Sequence, residues 1–156
     1  MKYKHVEKME IIQMVEQYGI SYLTVFSGLL LGEEKLKAFA NADLFLFPSK
    51  TENFALAMFE AMACHIPVVI SDTLNMADKV REAGAGLVIS REPQAFADAI
   101  LELLSNPEQR KEMGENGFRL AQDYCWESTG EKLARTIETI LRGVSLPEDL
   151  SPQLKK

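Results

Sequence analysis

The stretch LFLFPSKTENFALAMFEAMACHIPVVIS, residues 44–71, decides the fold. Leu44, Phe45, Leu46 and Phe47 form an unbroken apolar run closed by Pro48 and Ser49, the pattern of a strand buried on both faces of a parallel sheet. Residues Phe54 to Cys64 contain neither glycine nor proline and are rich in Ala, Leu and Met, which predicts a helix. Pro67 to Ser71 predicts a second buried strand. Strand, helix and strand in this order imply a parallel pair joined by a crossover.

Toward the amino terminus, Val6, Met9, Ile12, Val15 and Tyr18 recur at helical spacing and stop at Gly19, a residue suited to ending a helix. Ser21 to Phe26, rich in β-branched and aromatic residues, predicts a further strand that runs into a loop at Gly28. A helix is expected from about Glu33 to Asn41. Toward the carboxyl terminus, a short helix over Asn75 to Ala83 ends near Gly84, and Gly86 leads into a strand over Leu87 to Ile89. Pro93 opens a helix whose Phe96, Ala99, Ile100 and Leu103 share one face. Helices over Pro107 to Asp123 and Glu127 to Leu141 follow. The expectation is an α/β protein with a Rossmann-like, doubly wound parallel sheet of about four strands and helices on both faces. One domain would span residues 1–142, and residues 143–156, with Pro147 and Pro152 among polar neighbours, would form a loose tail.

Composition narrows the function. An apolar fraction of 47% and a charged fraction of 26% describe an ordinary packed domain. The net charge of -6 and scattered basic residues argue against a nucleic-acid partner. The apolar runs are too short to span a bilayer, and the charged start after Met1 does not resemble a secretion signal, so the expected location is cytoplasmic. Cys64 and Cys125, with only His5 and His65 to help them, show no metal-ligand spacing and are expected to be buried free thiols. Lone His65 is expected to hydrogen-bond structurally. Trp126 is expected to pack the last helices against the sheet. Lys50 is expected to be exposed, and Leu29, Leu30 and Leu31 to form an apolar loop tip that either packs in the core or meets a partner.

Open α/β sheets bind ligands beyond the carboxyl ends of their strands. The segment from Pro48 to Ala55 lies there and leads straight into the Ala-rich helix. Asn53 is placed to cap that helix, leaving the backbone N–H groups of Phe54, Ala55 and Leu56 and the positive end of the helix dipole facing the crevice. Such a terminus suits a phosphate, although most helix starts offer the same donors. Glu52 and Glu60 could line the same crevice, because a carboxylate accepts hydrogen bonds from vicinal sugar or ribose hydroxyls. A solvated helix face is the other reading of the pair, but Glu60 stands between Phe59 and Ala61 and needs a partner if buried.

The motif Ala42-Asp43-Leu44-Phe45-Leu46-Phe47-Pro48-Ser49, followed by Glu52, Phe54, Leu56, Glu60-Ala61-Met62-Ala63 and Pro67-Val68-Val69, resembles the carboxy-terminal lobe of family-4-type retaining glycosyltransferases with the two-lobed GT-B fold. Weaker matches extend the likeness over about Val6 to Leu141. The resemblance implies a nucleoside-diphosphate sugar as donor, no metal and no cofactor. It assigns Glu52, the candidate catalytic residue, to the donor sugar's hydroxyls, Glu60 to the ribose, and the backbone of Asn53, Phe54, Ala55 and Leu56 to the sugar and diphosphate. Catalysis in that family is largely positioning and stabilisation of the departing diphosphate. The family's pattern carries glycine where this chain has Ala55 and His65, and two further strand–helix units with a diphosphate-binding Arg or Lys before this point.

The isolated chain is therefore expected to be inactive without an acceptor-binding lobe. Either the first strand pairs directly beside the second or another copy of the chain covers an exposed edge, and self-association is expected. Two alternatives remain open from the residues: a non-catalytic assembly or partner-binding module of the same ancestry, and a flavodoxin-like binding domain unrelated to sugars.

Overall fold

Residue 71 and its neighbours explain why the sheet forms where it does: Val68, Val69, Ile70 and Ser71 are all fully buried, so this strand must have a helical layer on each face. The computed structural model describes residues 3–52 and 54–143. In chain order its elements are α1 (Tyr3–Gln17), a single 3-10 turn (Ser21–Leu23), α2 (Gly32–Ala40), β1 (Phe45–Phe47), α3 (Leu56–Ala63), β2 (Val68–Ser71), α4 (Ala77–Ala83), β3 (Gly86–Ile89), α5 (Pro93–Ser105), α6 (Pro107–Gln122) and α7 (Trp126–Leu141). The proposed tail over residues 143–156 falls outside the described residues apart from Gly143.

The sheet is parallel with the order β1-β2-β3. Phe45 lies opposite Val68 and Phe47 opposite Ile70, while Val68 lies opposite Gly86 and Ser71 opposite Ile89. Side chains alternate across a strand, and the two cores follow from this. Val68 and Ile70 join Met58, Phe59 and Met62 of α3 and Val80 of α4 on one face. Val69 joins Phe96, Ala99 and Leu103 of α5 on the other. The expected α/β class, parallel sheet and helices on both faces are all present.

The strand count differs from expectation. The described residues form three strands, and Ser21 to Phe26 is not one of them. Leu23 N–H and Thr24 N–H instead close turns on the carbonyls of Ile20 and Ser21, and Thr24 Oγ1 also bonds the Ile20 carbonyl at 3.0 Å. β-branched and aromatic residues favour a strand only where a neighbour supplies its ladder and a surface to pack on; here Tyr22, Leu23 and Val25 are exposed.

The chain divides into two compact units, residues up to Leu36 and residues from Lys37 onward. In the first, α1 ends at Gly19 in the left-handed region, as expected, and Met9, Ile11 and Met14 are exposed. In the second, α6 crosses α3 closely because α6 carries Gly114 and Gly117 at the contact. A methyl at Gly114 would stand 2.2 Å from the His65 carbonyl oxygen, and one at Gly117 3.1 Å from Met62 Cγ. Arg110, at the first turns of α6, donates to the carbonyls of Leu103 and Leu104 at the end of α5, which satisfies acceptors that a helix end leaves open.

α7 departs from expectation. None of its residues is buried, and Trp126 is 87% exposed instead of packing the helices to the sheet. As the first residue of α7, Trp126 lies just beyond the corner whose inner position Tyr124 occupies. Cys125 is exposed, not buried: its position before α7 makes it the cap, with Sγ accepting the Ser128 N–H at 3.4 Å. Cys64 is partly buried, and both thiols are free.

Candidate functional site

The carboxyl ends of the three parallel strands open onto three loops, and the one after β1 carries the candidate residues. Pro48 and the polar run behind it leave the sheet at Phe47, and Ser49 Oγ donates to the Thr51 carbonyl at 3.1 Å, tightening the first bend. Glu52 is exposed on this loop, and its carbonyl accepts a hydrogen bond from Asn75 Nδ2 at 3.3 Å. Lys50 is exposed, as expected.

The start of α3 differs from expectation. Helical residues begin at Leu56, and the capping position belongs to Ala55, which has no side-chain cap bond. Asn53, the expected cap, lies outside the described residues. The Leu56 N–H donates to the Phe54 carbonyl at 2.7 Å, so it is not among the free donors of the helix start. The Ala55 carbonyl accepts from the N–H groups of Met58 and Phe59. The dipole's positive end still faces the loop.

Ala55 resolves one departure from the glycosyltransferase pattern. Its φ of -67° is ordinary for alanine, and the residue is only 5% exposed within the core of α3, α4 and β2. Its methyl is therefore accommodated by packing without backbone strain. Phe54 is partly exposed, its ring stacked on Phe59 at 4.8 Å and tilted against Tyr124 at 5.9 Å. These rings tie the helix start to the α6–α7 corner. An open apolar cavity of about 550 Å³ lies there, lined by Phe54, Leu56, Tyr124, Trp126 and Thr129. Neither glutamate lines it.

Glu60 is half-buried on α3. Leu56, Ala57 and Ala63 are exposed, whereas Met58, Phe59, Ala61 and Met62 are buried. At 100° per residue Glu60 falls in the middle of the outward face. It stands about 6 Å along the axis from Leu56. One carboxylate thus precedes the helix and the other stands one turn inside it, facing away from the core.

The second glycine position of the pattern also has a physical account. His65 has φ of +59°, the left-handed region that glycine occupies without strain. Here the ring stacks on Phe118 with centroids 4.2 Å apart, and Nδ1 lies 3.4 Å from Glu115 Oε1. His65 is a structural residue at the far end of α3 from Glu52, in keeping with expectation.

Residues after β2 were not singled out in the sequence. Ser71 is fully buried, with Oγ 3.5 Å from the Phe47 carbonyl, and Asn75 reaches the Glu52 loop. The sequence pattern places Asn75 only at a helix start; its position just beyond the carboxyl end of β2 is the available signal. Among the described residues no group of three His, Cys, Asp or Glu side chains could hold a metal ion, and no helix is long and apolar enough to cross a membrane.

Comparison with known proteins decides the family. The profile of the family described as "Glycosyl transferases group 1" matches residues 5–120. The chain belongs to the group 1 glycosyltransferases. Among curated members of this family, the D-inositol 3-phosphate glycosyltransferase of Corynebacterium urealyticum is 33% identical over 138 residues, covering 88% of this chain and 32% of the relative. The corresponding protein of Segniliparus rotundus is 33% identical over 70% of this chain and 25% of its own length. The chain thus spans about a third or less of these relatives.

Solved structures agree. The sucrose-phosphate synthase of Thermosynechococcus elongatus superposes with a TM-score of 0.78 at 26% identity, over 88% of this chain and 35% of that one. The carboxy-terminal domain of a group 1 glycosyltransferase from Francisella tularensis does so with a TM-score of 0.63 at 25% identity, over 74% of this chain and 60% of that one. The group 1 chain described here therefore has the fold of the carboxy-terminal GT-B lobe. Its matched region contains the whole segment from Glu52 to Glu60.

Proposed function

We propose that this chain is the donor-binding lobe of a retaining glycosyltransferase, which moves a sugar from a nucleoside-diphosphate sugar to an acceptor. The observation that carries the reading is the placement of Glu52 and Glu60 around the start of α3, at the carboxyl end of β1 in a group 1 glycosyltransferase. In this reading the Glu52 carboxylate accepts hydrogen bonds from hydroxyls of the donor sugar and is the residue nearest the reaction. Glu60, one turn further in, accepts from the ribose hydroxyls. The backbone from Asn53 to Leu56 lies along the sugar and diphosphate, with the positive end of α3 toward the charge that develops on the departing diphosphate. Neither a metal nor a cofactor takes part.

The acceptor is held by a second lobe, so this chain alone binds donor without turning it over. Two features support a further contact. The outer edge of β1 pairs with no strand among the described residues, and α7 exposes Trp126, Leu133, Ile137 and Ile140. Open edges and apolar faces invite partners, and a second copy of the chain is the simplest one. These same features favour the second reading, a non-catalytic assembly module of glycosyltransferase ancestry.

Calorimetric titration with nucleoside diphosphates and their sugars separates the two. Donor binding that Glu60→Ala weakens is the expected result. Binding by neither protein, with the fold intact, would favour the assembly module.

A further inference from the structure

The loop between β1 and α3 carries Glu52 at the surface. The Ser49–Thr51 bond lies within the loop itself. The segment after β2, on the same edge of the sheet, is anchored to the sheet and the core. Asp72 N–H donates to the Ile89 carbonyl at 2.8 Å, Leu74 N–H to the Ser71 carbonyl at 3.3 Å, and Ala77 N–H to the Leu74 carbonyl at 3.0 Å. Leu74 and Ala77 are both buried. Asn75 stands between them with its side chain at the surface, and its Nδ2 donates across 23 positions of sequence to the Glu52 carbonyl at 3.3 Å. The bond therefore joins an anchored segment to the exposed Glu52 loop.

We propose that Asn75 is a positioning residue for the sugar end of the donor site. By holding the Glu52 carbonyl it fixes the backbone from which the Glu52 carboxylate reaches the sugar hydroxyls, and small misplacements of such groups weaken the interactions they make. Asn75 has no corresponding grip on the nucleotide end, because Glu60 stands on α3 itself and takes its place from helix packing. The inference rests on the donor-lobe reading and adds a division of labour to it. Loss of the bond is felt by a ligand that carries the sugar and not by one that lacks it.

The test compares matched probes, UDP-glucose with UDP and GDP-mannose with GDP, by calorimetry on the whole chain. Asn75→Asp keeps the side chain's size and removes its N–H donor; Asn75→Ala removes the group without adding charge. Both variants are expected to weaken the nucleotide sugar by about five-fold, the worth of one ordinary hydrogen bond, and to leave the diphosphate unchanged. Glu60→Ala is expected to weaken both members of the pair. Hydrogen exchange gives a second readout, with faster exchange expected in residues 49–52 of the Asn75 variants and none in α3.

Equal weakening of sugar and diphosphate, or no change in either, overturns the positioning role while leaving the donor-lobe reading intact. Unchanged exchange in the loop also overturns it. A wild-type chain that binds none of the four probes sinks the donor-lobe reading and this inference with it.

Discussion

At its carboxyl end α3 is gripped by α6 at a distance that only glycine permits, whereas at its amino end it starts from Ala55 without a side-chain cap, behind an exposed loop. The first end has Gly114 against the His65 carbonyl, Gly117 against Met62, and a stacked ring pair. The second has the exposed Glu52 and, among the described residues, a hydrogen bond from Asn75 to the Glu52 carbonyl. The difference separates two tasks within eight residues of helix. Packing at one end fixes where the helix lies, and the other end follows a loop that carries the exposed Glu52.

Substitutions should respect that division, and the largest effect is expected at the packed end. Gly114→Ala places a methyl into the His65 carbonyl and must push α3 and α6 apart. Overpacking of this kind costs about 1–3 kcal/mol, more where backbone is struck, and urea unfolding should show it as a lower midpoint. Donor affinity per folded molecule should stay near that of the wild type. A variant that kept its stability would mean that the two helices slide freely, and the contrast between the ends would fail.

Glu60→Gln is the converse. It should lower donor affinity about ten-fold, the scale of a hydrogen bond to a charged group, while changing unfolding stability by less than about 0.5 kcal/mol. Calorimetry and urea unfolding on the same preparation check both halves. A stability loss that exceeds the binding loss would make Glu60 a structural residue and erase the functional character of the amino end.

His65 sharpens the comparison more finely. Left-handed backbone costs a residue with a Cβ about 1–2 kcal/mol, which the stack on Phe118 and the contact with Glu115 offset in part. His65→Ala should therefore lose about 1 kcal/mol, whereas His65→Gly should stay close to the wild type, since it relieves the strain as it gives up the contacts. Equal losses for the two would place the stabilisation in the ring alone.

The smallest effect is expected at α7, which has the side-chain cap that α3 lacks. The Glu127 carboxyl is held below its ordinary value of 4.5 by a backbone hydrogen bond at the helix start and then by the Cys125 side chain. A depressed carboxylate adds stability above its unfolded pKa and loses it as pH falls through the folded value. Glu127→Gln should slightly flatten the fall in helicity below about pH 4.5, a change that circular dichroism can follow.

The parallel β1-α3-β2 unit was legible because its two apolar runs and the glycine-free helix between them tolerate few other arrangements. The places of Glu52 on the loop after β1 and of Glu60 on α3 follow from those same elements. Other features were not legible. Ser21 to Phe26 has the composition of a strand, but a strand exists only with a partner, and composition does not record one. Trp126 and Cys125 have the chemistry of buried residues, yet the corner at Tyr124 turns them outward. The start of α3 was misplaced because a good capping residue at position 53 is a local preference, and burial of Ala55 in the core overrode it as the guide to where the helix begins.

The sequence by itself determined the alternation of strand and helix from β1 to β3, the parallel sense of the sheet, and the family to which the motifs belong, since these depend on local periodicity and residue chemistry. Only the tertiary structure decided that Asn75 meets the Glu52 loop, that Gly114 meets His65, and that Glu60 faces outward beside Leu56. Those facts are distances between segments far apart in the chain or orientations set by packing, and no local pattern of residues encodes them.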